Sequence, residues 1–476
     1  MKRIAGAACA VSLSLCALVP PSLAATSLIG AQADAAAATS QAAALAPGFS
    51  IAVLRDGRIV YAKGFGFSNV AKKTAASADT PYAVGSISKQ FTAAAVLLLM
   101  QDGKLSLNDA LSKYFPQMPN ATSITLRNLL NQTSGLHNYP SMVEHTWPLA
   151  GAVSLRQVLD ILQTDKPDFA PGAQWEYSNT NYAVLAAVIE KVSGKPYAAF
   201  LKARIFDRLG MKNSGAGFSA QSRLPIATAY EGAAPYSEQV HYSLDLYTGA
   251  GSVVSTVRDL SKWDDALLHG RLLKPASWKL MSTVGALANG NPTNYGMGFI
   301  PDRLGGHREV WHNGLTPGAG GYGINALFPD DGLAIVVLSN GYNFSGQPER
   351  LVRSIFSAYY PDALPKPQTF VPAAGEDYAV TVRAKEWVHR LQTADIDRTQ
   401  LTPEMSQALT ATLVQQVAGE VGTLGAPLTF QFAGKQAGAG FTAYAYRVEF
   451  RAGVRRFIIA IDGAGKIGGR QMPEWD

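Results

Sequence analysis

Two apolar runs joined by Asp56-Gly57 open the patterned part of the chain, "SIAVLRDGRIVYAKGFG". Asp-Gly between two strand-like runs is the strongest short hairpin signal, so they predict an antiparallel pair. The period then lengthens. "TPYAVGSISKQFTAAAVLLLMQDGK", Thr80 to Lys104, is apolar nearly all round from Phe91 to Leu99. That predicts a buried helix ending at Gly103, a natural C-terminal stop. "NYAVLAAVIEKVSG" keeps a helical period up to Gly194, and "STVRDLSKWDDALLHG" starts on Thr256, an N-cap with Asp259 three residues on. Near residue 309 strand character returns, and "INALFPDDGLAIVVLSN" predicts a second hairpin turning at Pro329–Gly332.

Strands, then helices to about residue 280, then strands again predict an α/β (α+β) fold. One antiparallel sheet is built from both ends of a 47–360 domain, flanked by helices, with an all-helical region inserted. A Pro-rich linker over 361–375 leads to a tail, 376–476, with a helix from Ala379 to Leu391. The alternating runs "PLTFQF", "FTAYAYRVEFRAG" and "VRRFIIAIDGAG" follow. The tail reads as a small α+β domain.

Composition changes this picture only at the N-terminus. With 47% hydrophobic and 16% charged residues the 476-residue chain is globular and long enough for two or three cores. The net charge of +6 is spread over interspersed basic and acidic residues, so no nucleic-acid track is expected. Lys2 and Arg3, an apolar run from Ile4 to Val19, and the small-x-small site Ser22 to Ala24 form an export signal over 1–24. An Ala-rich leader, 25–46, follows. Both cysteines, Cys9 and Cys16, fall in the signal, so the mature chain is expected to be exported, thiol-free and without a membrane span.

Ser86 and Lys89 stand three apart at the start of the buried helix and so share a face. Either Ser86 is a cap and Lys89 a solvated charge, or they are a nucleophile and its activating base. A lysine in a dry site loses its proton readily. Tyr177-Ser178-Asn179 is the only Tyr-x-Asn in the chain; Asn179 is an N-cap or a ligand for a substrate carbonyl, and the Tyr177 phenol is a proton relay. His312-Asn313-Gly314 lies on an expected strand before "GAGGYG", where glycine lets backbone approach a ligand and offer N–H groups to an oxyanion. No Gly-x-Ser-x-Gly elbow, His-Glu-x-x-His motif, cysteine cluster, dinucleotide fingerprint or phosphate loop is present, so neither a metal nor another cofactor is expected.

The order Ser-x-x-Lys, Tyr-x-Asn, His-x-Gly resembles the penicillin-binding and class C β-lactamase-type serine hydrolases. "PGFSIAVLRDGRIVYAKGFGFSN", "SISKQFTAAAVLLLMQDGKLSLNDALSKYFP", "ITLRNLLNQTSGL" and "YGMGF" extend the likeness over roughly residues 40–360. The resemblance implies Ser86 as the acylated nucleophile, Lys89 as its activating partner, Tyr177 as proton shuttle and Asn179 as a contact to the substrate's carbonyl side. It also implies an oxyanion hole from the backbone N–H groups of Ser86 and Leu315, beside Gly314. The base remains either Lys89 or Tyr177. Two positions depart from the family's pattern. His312 stands where β-lactamases usually have lysine, and resembles the peptidase and esterase branches. Asn131-Gln132 replaces a frequent Thr-His pair, at a position taken as structural. The tail resembles small NTF2-like domains, for packing, dimerisation or cleft shaping.

The expected function is thus an exported serine hydrolase acting on small esters or D-amino-acid peptide amides of cell-wall type. The alternatives are a β-lactamase proper, whose substrate is a β-lactam, and a non-catalytic scaffold that keeps the fold. Oligomeric state is left open.

Overall fold

The computed structural model describes residues 30–39, 45–139, 154–163 and 166–473, apart from 233, 240–242, 317, 319, 345, 365–369, 423, 425, 439 and 451–452. The expected signal segment and both cysteines lie outside the described residues.

The first hairpin forms as its sequence predicts. Strand β1 (Gly48–Arg55) and strand β2 (Arg58–Asn69) pair antiparallel, with Ala52 opposite Ala62. Asp56 and Gly57 both have positive φ, 48° and 77°, the twist a two-residue hairpin needs. A short strand β3 (Thr74–Ala75) follows. From the far end of the domain come β4 (Ile300–Leu304), β5 (His307–Leu315), β6 (Tyr322–Phe328) and β7 (Leu333–Ser339). The sheet order is β3-β2-β1-β7-β6-β5-β4, so the N-terminal strand docks on the last one, Ile51 opposite Val337.

Period two divides the sheet's side chains between two cores. Ala52, Leu54, Val336 and Leu338 face the helical region; Ile51, Val53, Ile335 and Val337 face the other way. The first layer holds three main helices: α2 (Ser88–Gln101), α3 (Asn179–Ser193) and α4 (Val257–Leu268), with α1 kept for the leader helix at 30–39. Helix α2 is buried at every position from Ser88 to Leu99 and ends at Gly103 (φ 71°). Thr256 caps α4 by accepting from the Asp259 N–H. Asp259 does not return the bond; its carboxylate accepts from Asn213 N and Ser214 Oγ instead.

The opposite layer is α5 (Gln347–Tyr359), α1 and the tail. In the tail α6 (Tyr378–Thr393) matches the expected helix; Pro403–Ala408 and α7 (Ala411–Gly422) add helices the pattern did not predict. Strands β8 (Thr429–Ala437), β9 (Phe441–Phe450), β10 (Gly453–Asp462) and β11 (Ile467–Gln471) form an antiparallel meander. The fourth strand hides behind glycine: Phe441 occupies the space a Cβ on Gly468 would need, 2.0 Å away. Trp387, Phe432 and Tyr446 belong to the same buried cluster as Phe328 and Phe356 of the sheet layer, so the tail's core is continuous with the domain's. No helix among the described residues is long and apolar enough to cross a membrane.

Candidate active site

Ser86 sits in a 3-10 turn, Gly85–Ile87, that runs directly into α2. The turn is pressed against β5 with no room for side chains. A Cβ on Gly314 would lie 2.0 Å from Val84 O and 3.0 Å from Ser86 N, and one on Gly85 (φ +54°) would lie 2.5 Å from Leu315 N. The glycine requirement read from His-x-Gly is therefore a close backbone approach, which brings Gly314 onto Ser86 N and Gly85 onto Leu315 N.

Lys89, one turn on, is fully buried. Its Nζ lies 3.0 Å from Ser86 Oγ, 2.8 Å from Asn179 Oδ1 and 2.9 Å from Ala250 O. The rings of Tyr177 and Tyr182 wall the amine at 4.7 and 5.6 Å. Removal from water holds its pKa well below the ordinary lysine value. The reading of Lys89 as a solvated charge is excluded by this burial.

Tyr177 donates its phenol hydrogen to Ser86 Oγ at 2.7 Å. Burial pushes that phenol's pKa up, against the opposing effect of the Ser86 bond. Asn179 opens α3, but Ser178 is the capping position and the Asn179 amide is turned to Lys89. The loop carrying both residues is tied down by two side chains. Gln132 Oε1 accepts from Ser178 N (3.1 Å) and Asn181 Nδ2 (2.6 Å), and Asn138 Oδ1 accepts from Asn179 N (2.8 Å).

The architecture and the motifs agree with comparison to known proteins. The family model for beta-lactamases matches residues 33–360. The chain belongs to the beta-lactamase family. It is 33% identical over 290 residues to the putative penicillin-binding protein PbpX of Bacillus subtilis, covering 60% of this chain and 68% of that protein. D-amino acid amidase from Ochrobactrum anthropi, solved with L-phenylalanine amide, is 25% identical with a TM-score of 0.60, over 72% of this chain and 100% of the amidase. The octameric penicillin-binding protein homologue from Pyrococcus abyssi shares the fold over 92% of this chain and 94% of its own, with 21% identity and a TM-score of 0.61.

In this beta-lactamase family member His312, at the position where the sequence suggested a donor to substrate, does not contact Ser86 in the described geometry. Its Nδ1 is 2.6 Å from Asn313 O, and its Nε2 is 2.9 Å from the Tyr295 hydroxyl. A carbonyl only accepts, so Nδ1 carries the hydrogen and Nε2 accepts from Tyr295. Burial, first of all, pushes its pKa down to about 3, which leaves the ring neutral. His312, Tyr295 and Tyr177 form a packed aromatic set, with centroids 5.7 to 6.2 Å apart. Sequence reasoning missed Tyr295, Asn138 and the Ala250 carbonyl. Tyr295 opens "YGMGF", a stretch whose local pattern carries a family likeness but no chemical signal. Gln132 was noted as structural; it is, but what it supports is the Tyr177–Asn179 loop. Among the described residues no group of three or more His, Asp or Glu side chains is placed to hold a metal.

Proposed function

We propose that this chain is an exported serine hydrolase that works through an acyl-enzyme on Ser86 and cleaves small esters or D-amino-acid peptide amides. The observation that carries the reading is Ser86 Oγ held between the Lys89 amine at 3.0 Å and the Tyr177 phenol at 2.7 Å. A neutral amine has two hydrogens and one lone pair. Asn179 Oδ1 and Ala250 O are acceptors and take the hydrogens, which leaves the lone pair for the Ser86 hydroxyl. Lys89 is then the base for acylation. Tyr177, with its pKa raised, stays protonated and is the acid that serves the leaving group. During acylation a bond forms from Ser86 Oγ to the substrate carbonyl carbon, the ester or amide bond breaks, and the net proton passes from Ser86 to the leaving group. The Ser86 and Leu315 N–H groups receive the oxyanion.

The substrate class is supported by His312. Buried and neutral, it supplies no cation for a carboxylate, which weighs against β-lactams and peptides with a free C-terminal carboxylate, and in favour of esters and amides. The likeness to a D-amino acid amidase points the same way. The test compares p-nitrophenyl butyrate, nitrocefin and a D-Ala-D-Ala peptide, with labelling by a fluorescent phosphonate. Ser86→Ala is expected to abolish labelling and turnover together. Persistent labelling removes Ser86 as nucleophile, and nitrocefin as the fastest substrate makes the protein a β-lactamase proper.

A further inference from the structure

A groove of about 880 Å³ lies between the tail and the hydrolase domain, large enough for a drug-sized ligand. Leu315, Tyr342 and Glu231 line it from the domain side; Gly419, Glu420 and Arg455 line it from the tail. Leu315 joins it to the reaction centre. Its backbone abuts Gly85, next to Ser86, while successive side chains on β5 point to opposite faces. Gly314 presents its bare face to Val84 and Ser86, so the Leu315 side chain points into the groove. Leu315 is the last residue of β5, so the groove begins where the strand beside Ser86 ends.

We propose that the tail supplies a distal subsite that holds a peptide extension of the substrate. The lining chooses a peptide over a fatty acyl chain. Two carboxylates and a guanidinium sit among Leu315 and Tyr342, and an alkyl chain would strip water from those charges without replacing its hydrogen bonds. Amide groups replace them. The inference rests on the hydrolase reading above for its catalytic consequence, and the experiment separates the two.

Gly419 is the lever. A Cβ there meets nothing within 4 Å, and α7 has helical backbone at that position, so a large side chain enters the groove without strain. Gly419→Trp is expected to lower kcat/KM at least tenfold, through KM, for the p-nitrophenyl ester of an N-acetyl tetrapeptide or for the amide of an N-acetyl tetrapeptide ending in two D-alanines. p-Nitrophenyl acetate should stay within twofold, and Gly419→Ala should behave as the parent. In a Ser86→Ala background, equilibrium binding of the fluorescein-labelled tetrapeptide should weaken at least tenfold on adding Gly419→Trp. Peptide kinetics and binding unchanged by Gly419→Trp overturn the subsite while leaving Ser86 chemistry standing. A fall confined to p-nitrophenyl octanoate overturns the peptide assignment. A parent protein inert to every ester, yet binding peptide in a Gly419→Trp-sensitive way, overturns the hydrolase reading alone.

Discussion

Lys89 shows how one residue's chemistry is set by what surrounds it. In the unfolded chain its amine titrates near an ordinary ~10.4. In the folded protein burial depresses that value, so at intermediate pH the unfolded chain binds a proton the folded chain does not. This group therefore costs stability in full below its depressed folded pKa, and the cost fades as pH rises from there to the unfolded value. For activity the sign gives an acid limb: kcat/KM for p-nitrophenyl butyrate should fall as pH drops through the depressed pKa and protonates Lys89. A pH profile checks it, and the absence of any acid limb down to the pH at which the protein unfolds would remove Lys89 as base. Lys89→Met should lose about 10²–10⁴ in acylation rate, the usual range for a general base, while Tyr177→Phe should lose activity without moving the acid limb.

At the scale of elements, the site is made by backbone approach. Gly298 (φ +79°) of "YGMGF" passes so close to α2 that a Cβ would lie 2.6 Å from Lys89 O, and Gly296 does the same to Met281 O at 2.3 Å. Gly314 holds β5 against the Ser86 turn. Gly314→Ala should therefore displace Ser86 from β5 and abolish turnover, while circular dichroism stays near that of the parent; full activity would show that the turn has room to move. Gln132→Ala removes the acceptor for Ser178 N and Asn181 Nδ2, both buried. Leaving those donors unpaired costs about 1–3 kcal/mol. The loop that carries Tyr177 should loosen, seen as a lower Tm together with a fall in kcat.

Over the whole molecule, strands from residues 48–75 complete a sheet whose four remaining strands come from residue 300 onward, and the tail then adds its core to the sheet's outer face. Trp387 is buried in that shared cluster. Trp387→Ala should destabilise by about 3–5 kcal/mol, and calorimetry should show one unfolding transition shifted down as a unit. Two separated transitions, only one of them shifted, would mean that the tail folds independently of the sheet.

The hairpins at Asp56-Gly57 and Pro329–Gly332, the helix ends at Gly103 and Gly194 and the cap at Thr256 were legible in the amino-acid order, because each depends on local backbone preference and period. So were the three short motifs, since each needs particular side chains at fixed short spacing. The fourth tail strand was not, because Gly468 and Gly469 erase alternation and Phe441 supplies the missing surface from another strand. The state of His312 was not either. Neutrality comes from burial, and the tautomer from Asn313 O and from Tyr295 seventeen positions away. Order along the chain determined which groups were available; only packing decided which were dry, which were paired, and hence which carry charge.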